Sequence, residues 1–335
     1  MKKISIVLMS LLLLVGCSNG QVASTQEPTS EPTSEPTATP EETNEPSTVD
    51  TSTVKVLTPS GAPSLSTISL IKEGYDVEVV DGPDMLQAAF VNPSPEYDVI
   101  IAPTNLGMKL ATAGKTDYRL MAIVTWGNFY LVANDEKILE STDPIKVGAF
   151  GEQAVSGLVF NKLYPQYAEQ VEWYASVAEC ATALTAGNID LALLAEPVAT
   201  ATIAKNKENG KGLFIVADLQ KEWSEAGQGL PQAGLFVRSE NLKDHLTFYE
   251  QMIVSMQQYT FDTDASSSRE ELVKDIETIT PEVLGVPSAQ IISKVWPRMN
   301  IHVDLTDTHV EELQDFLQLF GIENVALGLY STSVD

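Results

Sequence analysis

The stretch Ala183-Leu184-Thr185-Ala186-Gly187-Asn188-Ile189-Asp190-Leu191-Ala192-Leu193-Leu194-Ala195-Glu196-Pro197 closes one helix, runs through an apolar strand and opens the next helix. Around it, Val177–Ala186 reads as a helix, residues 190–195 as the strand, and residues 197–205 as a helix that begins just after Glu196. Short apolar runs alternating with amphipathic segments are the mark of α/β architecture, in which helices cover a sheet. The same grammar extends outward. Residues 146–149 form a strand, 151–163 a helix and Val171–Tyr174 a strand, with a further strand at 213–216. Three strand-to-helix units in succession predict a small doubly wound domain.

An earlier unit follows the same rule. Residues 54–58 read as a strand, followed by Pro59-Ser60-Gly61-Ala62-Pro63 and a helix through Ile71. Asp76–Val80 is a second strand, after which Gly82-Pro83-Asp84 opens a helix with Met85, Leu86, Ala89 and Phe90 on one face. Residues 97–102 are a buried-type strand, and Thr104 caps a helix running to Ala113. Residues 119–125 and Phe129–Ala133 are strands separated by Trp126-Gly127-Asn128. A strand at 235–237 precedes helices at 242–259, Arg269–Ile279 and 309–320, which return the chain to the first unit. The fold class is therefore α/β, with two doubly wound lobes joined by a hinge: lobe 1 from residues 54–135 and 235–335, lobe 2 from residues 136–234.

In open sheets of this kind, ligands bind beyond the carboxyl ends of the strands, near helix N-termini with unpaired N–H groups. Gly61-Ala62-Pro63, Asp81-Gly82-Pro83-Asp84, Pro103-Thr104-Asn105, Phe150-Gly151-Glu152-Gln153 and Glu196-Pro197 all follow a strand and open a helix, and together they point to one cleft. The ligand-binding candidates are Gly61, Ala62, Pro63, Asp84, Met85, Pro103, Thr104, Asn105, Trp126, Asn128, Gly151, Gln153 and Glu196. Trp126 and Asn128 either stack on and hydrogen-bond a planar ligand or belong to the core. Glu196 either accepts a hydrogen bond from a ligand amine or caps the helix begun by Pro197. Gln153 and Thr104 are donors to a ligand, and capping explains Thr104 equally well.

The composition narrows the function classes. With 46 acidic against 20 basic residues the formal charge is −26, which repels phosphate backbones and argues against a nucleic-acid partner. The histidines His245, His302 and His309 lack ligand-like spacing and Cys180 stands alone, so no metal site is expected. No nucleophile elbow, Walker loop or dinucleotide-binding glycine turn is present, and neither a cofactor nor covalent catalysis is expected.

The N-terminus sets the compartment. Lys2 and Lys3 precede an apolar run from Ile4 to Val15, the charged and hydrophobic parts of an export signal, residues 1–16. The signal ends in Leu14-Val15-Gly16-Cys17, which resembles the bacterial lipobox and implies a mature chain beginning at a diacylglyceryl-modified Cys17. Two or more acyl chains on one residue anchor a protein stably. Residues 17–53 carry the cadence Glu27-Pro28-Thr29-Ser30, Glu31-Pro32-Thr33-Ser34, Glu35-Pro36-Thr37, too poor in apolar residues to fold. They form an extended tether with a reach on the order of 100 Å.

The folded part resembles the type II periplasmic-binding-protein superfamily, in the branch of receptors for nitrate, sulfonates such as taurine, and pyrimidine precursors of thiamine. The resemblance rests on Asp98-Val99-Ile100-Ile101-Ala102-Pro103-Thr104, on Lys146-Val147-Gly148, and on the stretch from Ala183 to Glu196-Pro197. It implies two lobes hinged about a cleft, a monomer, and an ABC permease as partner at the extracytoplasmic face of the membrane. The chain departs from the family pattern in its short, aromatic-free helix after the first turn. Its four arginines, Arg119, Arg238, Arg269 and Arg298, all lie outside the cleft loops. The expected ligand is a neutral or weakly charged planar organic solute, with an oxyanion, a sensory role or an enzyme on the same fold as the alternatives.

Overall fold

Among the described residues, eleven strands divide between two sheets of matching design. The computed structural model describes residues 49–210, 212–224 and 229–330. The export signal, Cys17 and most of the tether lie outside the described residues. The strands are β1 (Lys55–Pro59), β2 (Asp76–Val80), β3 (Val99–Pro103), β4 (Tyr118–Thr125), β5 (Phe129–Ala133), β6 (Val147–Phe150), β7 (Val171–Tyr174), β8 (Leu191–Ala195), β9 (Phe214–Asp218), β10 (Ala233–Arg238) and β11 (Asp304–Leu305). The helices are α1 (Ala62–Leu65), α2 (Ile68–Lys72), α3 (Pro83–Val91), α4 (Thr104–Thr112), α5 (Val155–Leu163), α6 (Val177–Ala186), α7 (Val198–Glu208), α8 (Leu219–Trp223), α9 (Ser239–Asp264), α10 (Arg269–Ile279), α11 (Pro281–Leu284), α12 (Ala289–Met299) and α13 (Val310–Gln318).

The first sheet has the order β11-β4-β10-β3-β1-β2 and the second β7-β6-β8-β5-β9. In each, a parallel trio (β2-β1-β3 and β7-β6-β8) continues through one antiparallel strand, β10 or β5, to a strand that is parallel to the trio again. The antiparallel strand is the one the chain forms on arriving from the other lobe. β5 enters the second sheet straight after β4 leaves the first, and β10 returns after β9 and α8. Each sheet thus owns a strand inserted from across the hinge, and the described fold forms one contact unit rather than two separable domains.

This corrects the lobe boundary read from sequence. Phe129–Ala133, assigned to lobe 1, pairs with β8 and β9 of the second sheet. The reading failed because consecutive strands joined by three residues usually pair with each other. Here both strands are buried along almost their whole length, so each needs two covered faces and sits inside a different sheet. The tether boundary also moves. Asp50 caps a short 3₁₀ turn at Thr51–Thr53 by accepting from the Ser52 N–H, and Val49 packs under the first sheet, so order begins before residue 54.

Core packing is tight where helices cross the first sheet. A methyl group at Gly107 of α4 would stand 2.3 Å from Phe236 Cζ on β10. Phe236 is fully buried and held edge-on against Phe90, ring centroids 5.2 Å apart, so it has nowhere to go. Gly107→Ala is expected to cost about 1–3 kcal/mol through overpacking, read as a lower urea midpoint at unchanged slope.

Candidate functional site

Both lobes contribute to a cavity of about 270 Å³. From the first lobe come Pro59 at the end of β1, Ala62 and Pro63 of α1, Pro103 at the end of β3, Thr125 at the end of β4, and Gln232 and Ala233 where the chain re-enters. From the second come Phe129 at the start of β5, Phe150 at the end of β6, and Ala154, Val155 and Ser156 at the head of α5. The parallel strands β1, β3, β4 and β6 end at this space, the place where open α/β sheets bind ligands.

The hinge behind the cavity is a pair of hydrogen-bonded crossovers. Leu230 N donates to Trp126 O (2.8 Å) and Gln232 N to Thr125 O (3.0 Å). The Gln220 side chain accepts from Phe129 N at 2.6 Å and donates to Phe129 O at 3.0 Å, fixing the ring that forms one wall.

Of the candidates read from sequence, Ala62, Pro63 and Pro103 stand at the cavity wall. Gly61, in the left-handed region at φ 91°, shapes the turn beside them, and its N–H is engaged by Leu284 O. Gly151 (φ 69°) shapes the turn before α5, its carbonyl accepting from the Ala154 and Gly157 amides. The others lie elsewhere. Asp84 and Met85 are exposed on α3, which packs against β1 and β3, and Gln153 is exposed to solvent; none of the three lines the cavity. Thr104 is fully buried with its hydroxyl turned toward β10, where a Cβ at Gly234 would meet it at 3.4 Å. The Asn105 side-chain oxygen is buried without a protein partner. Asn128 is a structural tie, its Nδ2 donating to Glu196 O at 2.9 Å.

Trp126 is core. Its indole is fully buried, stacked on His302 (centroids 5.2 Å apart, planes 3° apart), edge-on to His309, and donates to His302 O. Glu196 is buried in an ion pair: Oε1 receives Arg298 Nε at 2.6 Å and the Thr200 hydroxyl at 2.7 Å, while Oε2 receives the Thr200 N–H at 3.0 Å. Sequence reasoning did not name Pro59, Thr125, Phe129, Phe150, Ala154 to Ser156, Gln232 or Ala233. The available signal was that Pro59 and Phe150 head turns already read as part of the cleft.

The histidine stacked on Trp126 gives the fold a pH dependence. Burial holds the His302 imidazole below the ordinary histidine range, with nearby His309 acting in the same direction and Asp304 and Asp264 opposing it. The unfolded chain therefore takes up this proton first. This contribution to stability is whole above the ordinary histidine value of 6.5 and is lost as pH falls through the lower folded value. His302→Asn is expected to flatten part of the loss between pH 7 and 5, measured as urea midpoints at each pH.

No protein-family model matches the chain, and no curated protein matches it in sequence. Among solved structures, it is similar to an ABC transporter protein from Parabacteroides distasonis (TM-score 0.65, 18% identity, covering 84% of this chain and 100% of that one). It is also similar to the periplasmic aliphatic sulphonate binding protein of Escherichia coli (TM-score 0.60, 14% identity, 84% and 93% covered). A third is the ligand-binding component of an ABC-type import system from Staphylococcus aureus (TM-score 0.59, 14% identity, 83% and 96% covered). The chain has the two-lobed α/β fold of the periplasmic binding proteins of ABC importers.

Proposed function

We propose that this chain is the extracytoplasmic solute receptor of an ABC importer, tethered to the membrane through a lipid on Cys17. The observation that carries the reading is the cavity built from both lobes at the carboxyl ends of both sheets. A guest there touches both halves at once, so its binding energy favours the closed arrangement over an open one, and the permease recognises that arrangement. No covalent step enters. Among the described residues no helix is long and apolar enough to cross a membrane.

Two measurements test the reading. A bound solute is expected to stabilise the protein by about 2.7 kcal/mol at a hundredfold excess over its dissociation constant. Absence of any shift across a broad solute panel, with no small molecule retained in native mass spectrometry, would sink the receptor function. Separately, Cys17→Ala is expected to move the protein from the membrane pellet to the soluble extracytoplasmic fraction. Retention in the pellet after a carbonate wash would overturn the lipid anchor.

A further inference from the structure

The wall of the cavity specifies more than its position. The first lobe faces it with Pro59, Pro63 and Pro103, at the end of β1, the first turn of α1 and the end of β3. These are the positions at which a doubly wound sheet offers backbone N–H groups to an anion, and proline has none to offer. The neighbouring amides are already engaged: Ser60 N donates to Val80 O, Gly61 N to Leu284 O and Thr104 N to Gln232 O, each at 3.0 Å. Across the cavity, the Ser156 hydroxyl donates to Phe150 O at 2.9 Å. Among the described residues no Asp, Glu, Lys, Arg or His side chain lines the space. An anion entering from water would lose its hydration without a cation to replace it, at a cost of several kcal/mol. A neutral apolar guest gains about 25 cal/mol for each Å² it removes from water.

Size and shape narrow the class further. A dry cavity of roughly 150 Å³ holds benzene, so about 270 Å³ holds a substituted single ring or a small fused bicycle. The Phe129 and Phe150 rings, with centroids 6.3 Å apart and planes 63° apart, offer a guest ring one face and one edge, the arrangement aromatic groups prefer. Only the head of α5 keeps open amides at the wall; with the Gln232 side chain they suffice for one or two hydrogen bonds to a substituent, but among the described residues no cation stands beside them to replace an anion's hydration. Resting on the receptor reading above, we propose that the guest is an uncharged, ring-bearing molecule with a mostly apolar surface, and that oxyanions are excluded.

The mature full-length Cys17→Ala protein, titrated by calorimetry and thermal unfolding with indole, p-cresol and benzamide and, in parallel, with methanesulfonate, taurine, nitrate and sulfate, tests this. At least one ring compound is expected to bind saturably and raise the melting temperature, with no response to the anions. Phe150→Ala is expected to weaken that binding at least tenfold while Phe150→Leu retains part of it. Saturable binding of any of the anions, or recovery of a charged solute with protein purified from its native host, would overturn the ligand class and leave the receptor function standing. Silence from both sets, with no solute recovered, would overturn both.

Discussion

Arg298→Met is expected to destabilise the protein by about 3 kcal/mol, and Glu196→Gln on top of it to restore a large part of that loss. The Glu196 side chain has no solvent exposure, whereas that of its partner is 38% exposed. Removing the arginine therefore leaves a buried carboxylate held only by the Thr200 hydroxyl and amide. Breaking such a pair from one side costs about 3–5 kcal/mol, whereas neutralising both partners is far milder. The lower end applies because Arg298 is open to water. Its geometry makes the pair a brace between lobes: Arg298 closes α12, which packs against α10 and the first-lobe residues Leu65 and Ile68, while Glu196 leads into α7 of the second. Tyr130 Oη adds a bond to Arg298 O at 2.9 Å, and Asn300 Nδ2 a bond to Gly127 O at 2.8 Å. Equilibrium urea unfolding of both single variants and the double variant checks the cycle. A loss below about 1 kcal/mol for Arg298→Met would mean the brace adds little.

The brace also marks the limit of sequence reasoning. Glu196 was legible as a helix-opening residue after an apolar strand, because a strand and the helix that follows it are local patterns. Its partner lies 102 positions away in the chain, on a helix the sequence reading left unassigned and whose last turn contains Pro297. Trp126 is a parallel case: its place at a crossover was visible, but the His302 and His309 rings that turn it into core arrive from the far end of the chain. For β5 the apolar run of Phe129–Ala133 was plain, whereas membership of a sheet is a non-local choice that no run of side chains encodes. The cleft was legible as a set of turns, since topology alone fixes where strand ends gather. Which side chains face the space depends on how each turn is tied down, as with Thr104 turned inward and Phe150 outward. Hence the turns emerged from sequence and most of the wall did not.

Ala154→Asp separates stability from binding at that wall. Ala154 is the N-cap of α5, with extended backbone (φ −95°, ψ 176°), no side-chain cap bond and no acidic residue in the first turn after it. An aspartate there accepts from the open amides of the helix and complements its dipole, which is expected to raise stability by about 1 kcal/mol. The same residue is exposed and lines the cavity, so the new carboxylate faces the guest. Closing the lobes over an apolar molecule then requires stripping water from a charge, and affinity is expected to fall about tenfold or more. Ala154→Ser caps almost as well without the charge and should keep most of the affinity. Urea unfolding and calorimetric titration of the two variants decide the matter. Equal loss of affinity in both would assign the effect to crowding, and unchanged affinity in Ala154→Asp would mean the guest does not contact the head of α5.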